Sequence, residues 1–207
     1  MSADKRPVRR PGGRTADVTR RVHNAIIQLL IESGVQGCTV KAVAERAGIE
    51  RSTLYRRFPD RWQAIIDALM ARAGAEVVPG PSTNFRADLH AILAKLVDVL
   101  ESPLGAAFMA AAAELKASKS EGYSRDYFDR RMEQLSPMFD AAVARGELAA
   151  EVDREALFSC AAGPLYFRMF IAGRRVDEAF LDSIVELICG RFCKPVPAEV
   201  PLPAGLA

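Results

Sequence analysis

Between Thr39 and Arg61 the chain reads TVKAVAERAGIERSTLYRRFPDR, and its second half crowds Arg51, Ser52, Thr53, Tyr55, Arg56, Arg57 and Arg61 into one short stretch. Guanidinium groups pair with phosphates or with the two acceptors on a guanine edge, and hydroxyls and phenols bond to either. This is the chemistry of duplex recognition rather than of bond breaking. No Gly-rich phosphate loop and no nucleophile elbow accompanies it, so an enzyme is not expected. His23 and His90 have no Cys or carboxylate at metal-ligand spacing. Cys189 and Cys193, one helical turn apart, would supply half a metal site or a redox pair, but read more simply as core or interface cysteines. Asp126, Asp129 and Glu133 share a predicted helix and read as a solvated face. No metal and no cofactor are expected.

Two short helices must position the basic cluster. Thr39 is a natural N-cap for a helix whose inner face is Val40, Val43, Ala44 and Ala47, and Gly48 ends it. A second helix runs from Arg51 to Phe58, with Leu54 and Phe58 pointing inward and Pro59-Asp60 breaking it. Two short helices joined by a glycine turn make a helix-turn-helix, and small Ala44 and Ala47 let them approach closely. The outward residues of the second helix are then Arg51, Ser52, Thr53, Tyr55, Arg56 and Arg57, on a rod that fits the major groove. A longer helix precedes the pair, with Thr15 as cap, Val18, Val22, Ala25, Ile26, Leu29 and Leu30 as its stripe and Gly34 after its end. Another follows over Trp62–Ala75, capped by Asp60.

This stretch resembles the DNA-binding domain of the TetR/AcrR family of one-component regulators. The family's pattern is a Thr-capped helix, Ala-x-x-Ala-Gly-(Val/Ile), Thr-Leu-Tyr-x-x-Phe and a basic residue at the next helix start. Thr39, Val43, Ala44, Ala47-Gly48-Ile49, Thr53-Leu54-Tyr55, Phe58 and Arg61 supply it. Three positions depart: Glu50 replaces a frequent Ser cap and brings negative charge near DNA, Arg57 a frequent His, and Arg61 the usual Lys. The resemblance implies that Thr39 and Lys41 touch phosphate and that Arg51, Ser52 and Thr53 read bases, Arg51 by a two-pronged bond to guanine. Tyr55, Arg57 and Arg61 would hold phosphates, and Arg56 would do either.

Beyond Val78-Pro79-Gly80-Pro81-Ser82, which reads as a linker, the pattern stays helical. Leu89 to Leu100 is an amphipathic stripe stopped near Ser102-Pro103, Phe108–Leu115 is short and Ala-rich, and Tyr127 to Ala144 is long with Pro137 bending it. Asp153 caps a helix through Phe170 with a kink at Pro164, and Asp177 begins the last helix, to Phe192. The expected fold is all-α, about nine helices, with no convincing strand. Its divisions are a basic arm over 1–14, a helix-turn-helix domain over 15–76, a ligand-binding and dimerisation domain over 84–193 and a Pro-rich tail over 194–207. By analogy with the family, the last two helices make a four-helix homodimer interface through Leu157, Ala161, Leu165, Phe180, Ile184, Leu187 and Ile188. A small apolar or amphipathic ligand would bind among Leu93, Leu96, Phe108, Met109, Tyr123, Phe128, Met132, Leu135, Phe139, Tyr166 and Met169, and spread the two DNA heads. The implied partner is a palindromic double-stranded operator.

Charge supports the polarity of this plan. Through Arg61 the 207-residue chain has thirteen basic and six acidic residues, whereas the whole carries only +2. A basic head on an acidic body suits a polyanion partner. It equally suits a sequence-nonspecific architectural DNA binder, the alternative this sequence leaves open. Four scattered cysteines and apolar runs well short of a bilayer's roughly 20 residues point to a soluble, cytoplasmic, nucleoid-associated protein with no membrane partner.

Overall fold

The computed structural model describes residues 13–76, 84–118 and 120–194, which form nine α-helices. They are α1 (Gly13–Gly37), α2 (Val40–Ala47), α3 (Arg51–Arg57), α4 (Arg61–Glu76), α5 (Phe85–Glu101), α6 (Pro103–Ala117), α7 (Glu121–Ala144), α8 (Arg154–Tyr166) and α9 (Glu178–Phe192). The described residues form no strand; an isolated antiparallel bridge joins Leu148 to Cys193. The expected linker, nearly all of the arm and all of the tail beyond Lys194 lie outside the described residues.

Local chemistry sets most of the helix ends. Side chains of Thr39, Asp60, Asn84, Asp153 and Asp177 accept the backbone N–H three residues on, from Ala42, Gln63, Ala87, Ala156 and Phe180. Each such cap is worth about 1 kcal/mol. Four boundaries differ from expectation. α1 starts at Gly13, so Thr15 lies inside it, while the expected break at Gly34 is present, with φ 65°. α6 is far longer than Phe108–Leu115 because Ser102-Pro103, read as a stop, is also a start: proline at the first position has no N–H to lose. α7 begins at Glu121 and continues through Pro137. α8 also continues through Pro164, and the irregularity comes one turn later, as a π-helical turn over Phe167–Ile171 closed by the Ala172 N–H on the Phe167 carbonyl at 2.9 Å.

The chain divides into two compact units. The first joins the residues up to Ala75 with Leu100–Phe128, and the second joins Glu76–Val99 with Asp129 onward. In the first, Val22, Ile26, Leu29 and Leu30 of α1 meet Val43 and Ala47 of α2, Leu54 of α3, Ile65 and Leu69 of α4, and Leu104, Ala107 and Ala111 of α6. α6 thus packs with the N-terminal helices rather than only with the later ones. In the second unit Phe85, Leu89, Ile92, Leu135, Phe139, Leu157, Leu165 and Val185 are buried. The nearly buried Asp88 carboxylate lies 3.5 Å from the Arg145 guanidinium.

Candidate nucleic-acid interface

α2 and α3 are fixed from beneath and from the turn. Val43, Ala44 and Ala47 of α2 and Leu54 of α3 are buried. Gly48 between them is left-handed, φ 61° and ψ 45°, a conformation that costs an L side chain about 1–2 kcal/mol. Its N–H donates to the Glu45 carbonyl at 3.1 Å, and the Ile49 N–H to that of Ala44 at 3.0 Å. Arg21 of α1 completes the turn: its Nε donates to the Ala47 carbonyl at 2.9 Å and its Nη2 to the Gly48 carbonyl at 2.6 Å. A Cβ on Gly48 would come within 2.9 Å of that Nη2. A cation against the carbonyl end of a helix is favoured by the helix dipole as well. Nothing in the local sequence pattern marks Arg21, because its partners lie 26 and 27 residues away.

With Leu54 turned inward, α3 presents Arg51, Ser52, Tyr55 and Arg56 to solvent. Tyr55 is 57% exposed. Thr53 is half-buried, and Thr39 and Lys41 at the start of α2 are exposed. Glu50 makes no capping hydrogen bond, so the first turn of α3 keeps its N–H groups uncapped by that side chain. Arg51 is held only loosely, 3.7 Å from the equally exposed Glu45 carboxylate.

Two of the expected phosphate ligands also have partners within the chain. Arg57 donates to the Thr15 carbonyl at 2.8 Å and lies 3.4 Å from the Thr19 hydroxyl, tying α3 back to the start of α1. Arg61 sits 3.7 Å from Glu114 of α6 and over the Trp62 ring, and the same Glu114 accepts from Gln36 at 2.9 Å. Beneath them the His23 ring lies 5.8 Å from Phe58. Its Nε2 is buried without a hydrogen-bond partner, and burial pulls its pKa below the usual imidazole value, partly offset by the Asp67 carboxylate.

Of the expected ligand set, Phe108, Met109, Tyr123 and Phe128 belong to the first unit and Leu93, Leu96, Met132, Leu135, Phe139, Tyr166 and Met169 to the second. Leu93, Leu135 and Phe139 are fully buried core. Phe108 packs 5.1 Å from Tyr127, and the Tyr123 phenol bonds to the Asp60 carboxylate that caps α4. Of the seven expected dimer residues, Leu157, Ala161, Leu165, Ile184 and Ile188 are buried within the single chain. Phe180 is half-buried under the Arg168 guanidinium, and Leu187 is 68% exposed. The apolar side chains that do reach solvent nearby are Phe167 and Ile171, in the π-helical turn. His90, which has no carboxylate at metal spacing in sequence, lies 3.0 Å from Glu178 and 3.4 Å from Asp182.

A helix-turn-helix with a solvent-facing, arginine-bearing second helix on an all-helical body defines a DNA-binding regulator. Residues 23–74 match the family described as bacterial regulatory proteins of the tetR family, and residues 79–188 match a tetracyclin repressor-like C-terminal domain. The chain belongs to the TetR family of transcriptional regulators. It is 27% identical to the regulator AqdR of Rhodococcus erythropolis over 84% of this chain and 85% of that one. It is likewise 27% identical to the DNA-binding transcriptional repressor TetR of Mycobacteroides abscessus, over 77% and 85%. Among solved structures, the TetR-family regulator SCO0332 superposes with a TM-score of 0.70 at 25% identity, covering 84% of this chain and 97% of that one. The flavonoid-responsive regulator FrrA shares the fold, with a TM-score of 0.60 at 19% identity over 87% and 98%.

Proposed function

We propose that this chain is a homodimeric, sequence-specific repressor that a small apolar or amphipathic ligand releases from a palindromic operator. The observation that carries the first half is the outward face of α3: Arg51, Ser52, Tyr55 and Arg56 stand in solvent on a helix held by buried Leu54 and by the Arg57 bond to the Thr15 carbonyl. Arg51 reads a guanine, Ser52 and Thr53 read neighbouring base edges, and Thr39, Lys41 and Tyr55 grip phosphates. A bidentate arginine contact is worth about 1–3 kcal/mol of discrimination. Arg57 braces α3, and Arg61 reaches phosphate by leaving Glu114.

By function rather than by packing, the proposed division is a head over 15–76, a ligand and dimer module over 84–193 (of which Leu100–Phe128 packs with the head), a basic arm over 1–14 and a tail over 194–207. Dimerisation uses the exposed stripes of the last two helices, Cys160, Gly163 and Phe167 on one and Ser183 and Leu187 on the other, with two recognition helices about 34 Å apart. The ligand half leans on the family and on FrrA, a relative in fold that responds to a flavonoid. To empty an operator the ligand must favour the spread state by several kcal/mol.

Fluorescence anisotropy with the promoter nearest the protein's own gene, against scrambled DNA in moderate salt, tests the reading. At least a hundredfold preference for the promoter is expected. Equal affinity for both would make the protein an architectural DNA binder instead.

A further inference from the structure

We propose that His90, Glu178 and Asp182 form an exchangeable site for a divalent first-row transition ion of the zinc type. His90 comes from α5, and Glu178 and Asp182 lie one turn apart on α9, so two helices of the second unit converge on one point. The three donor atoms all lie within 4.8 Å of one another. His90 Nε2 is 3.0 Å from the Glu178 oxygen and 3.4 Å from the Asp182 oxygen. An ion with ligands at 2.0–2.2 Å in tetrahedral or octahedral geometry needs donors about 3.0–3.5 Å apart. Both measured edges meet that requirement before any ion is added.

The bonding also favours an ion over a proton. A ring nitrogen carries at most one N–H, which serves one carboxylate well and leaves the second repelled by the first. A dication at the same point binds all three donors and removes the repulsion between the carboxylates. Imidazole among the ligands selects zinc, cobalt or nickel over magnesium or calcium, which prefer oxygen throughout. The carboxylates are 73% and 66% exposed and the imidazole 30%, so water can fill the remaining positions and the ion can come and go. In effect the ion staples the start of α9 to α5, a link of 88 residues in sequence.

The test uses the full chain, stripped with a chelator and kept reduced. Calorimetric titration with zinc, and visible d–d absorption with cobalt, are read for the wild type, His90→Ala, Glu178→Gln and a Cys189→Ser/Cys193→Ser pair, with helicity checked by circular dichroism. One equivalent is expected, with no thiolate-to-cobalt charge-transfer band and no competition from magnesium. His90→Ala and Glu178→Gln should weaken binding beyond the roughly 10–100-fold that follows loss of an outer-shell partner. The cysteine pair should bind as the wild type does. Binding that persists in folded His90→Ala, binding lost with the cysteines, or no binding at all would each overturn the assignment.

Discussion

Arg21 of α1 and Gly48 in the turn of the helix-turn-helix meet directly: the guanidinium donates to the glycine carbonyl at 2.6 Å, and a Cβ on Gly48 would press on its Nη2 at 2.9 Å. The end of α2 is therefore capped twice, locally by the Gly48 and Ile49 N–H groups and across the domain by Arg21. Arg21→Ala should lower stability by about 1–2 kcal/mol, since its hydrogen bonds are charge-assisted but the side chain is 41% exposed. Gly48→Ala should cost a similar amount through its positive φ. The φ cost is independent of Arg21, but the new Cβ also crowds its Nη2, so the double variant should lose less than the sum in a urea titration by that shared part. Full additivity would mean the two residues act separately.

His23 gives the domain a pH dependence whose sign follows from its surroundings. Burial lowers its pKa relative to the unfolded chain, where imidazole titrates near 6.5. The folded state thus binds fewer protons than the unfolded one as pH falls through that value, and stability drops. The contribution is fully present above the unfolded value and is lost as pH falls from it toward the lower folded one. Melting temperatures at about pH 7.5 and about pH 5.5 should differ more for the wild type than for His23→Leu, which removes the titrating group. Equal differences in the two proteins would assign the acid sensitivity elsewhere.

What could be read in the sequence was what lies within about four residues. Thr39 and Ala42, Asp153 and Ala156, and the left-handed Gly48 each carry their structural meaning locally. The inward Leu54 and the outward Arg51 and Tyr55 follow from helical spacing alone. Arg57 against Thr15, Arg61 against Glu114 and His90 against Glu178 are 42, 53 and 88 residues apart, and no periodicity links them. Apolar stripes failed differently. The one through Leu157, Ala161 and Leu165 says that a face is covered, not whether the chain's own helices or a second copy covers it.

The Arg61–Glu114 pair predicts a small, uniform effect on DNA binding. Side chains that are 38% and 29% exposed and 3.7 Å apart make an ion pair worth about 0–1 kcal/mol. If Arg61 must leave Glu114 to reach phosphate, Glu114→Gln should tighten binding to promoter and scrambled DNA alike, by up to about fivefold. Its salt slope should match the wild type, whereas that of Arg61→Ala should fall by about one. A Glu114→Gln effect confined to the promoter would point to altered positioning of α3 instead.

Leu187 and Leu157 sit on neighbouring helices in opposite situations, and substituting each separates association from folding. Leu187 is 68% exposed, so Leu187→Glu removes little internal packing and places a charge, and its mirror copy, in the proposed interface. Sedimentation at micromolar concentration should show a folded monomer with native helicity, and operator affinity should drop because one head then binds alone. Leu157 is fully buried, so Leu157→Ala should cost about 2–5 kcal/mol of stability while the protein that remains folded still dimerises. A Leu187→Glu protein that stays dimeric would move the interface off this stripe, and with it the spacing of the two recognition helices.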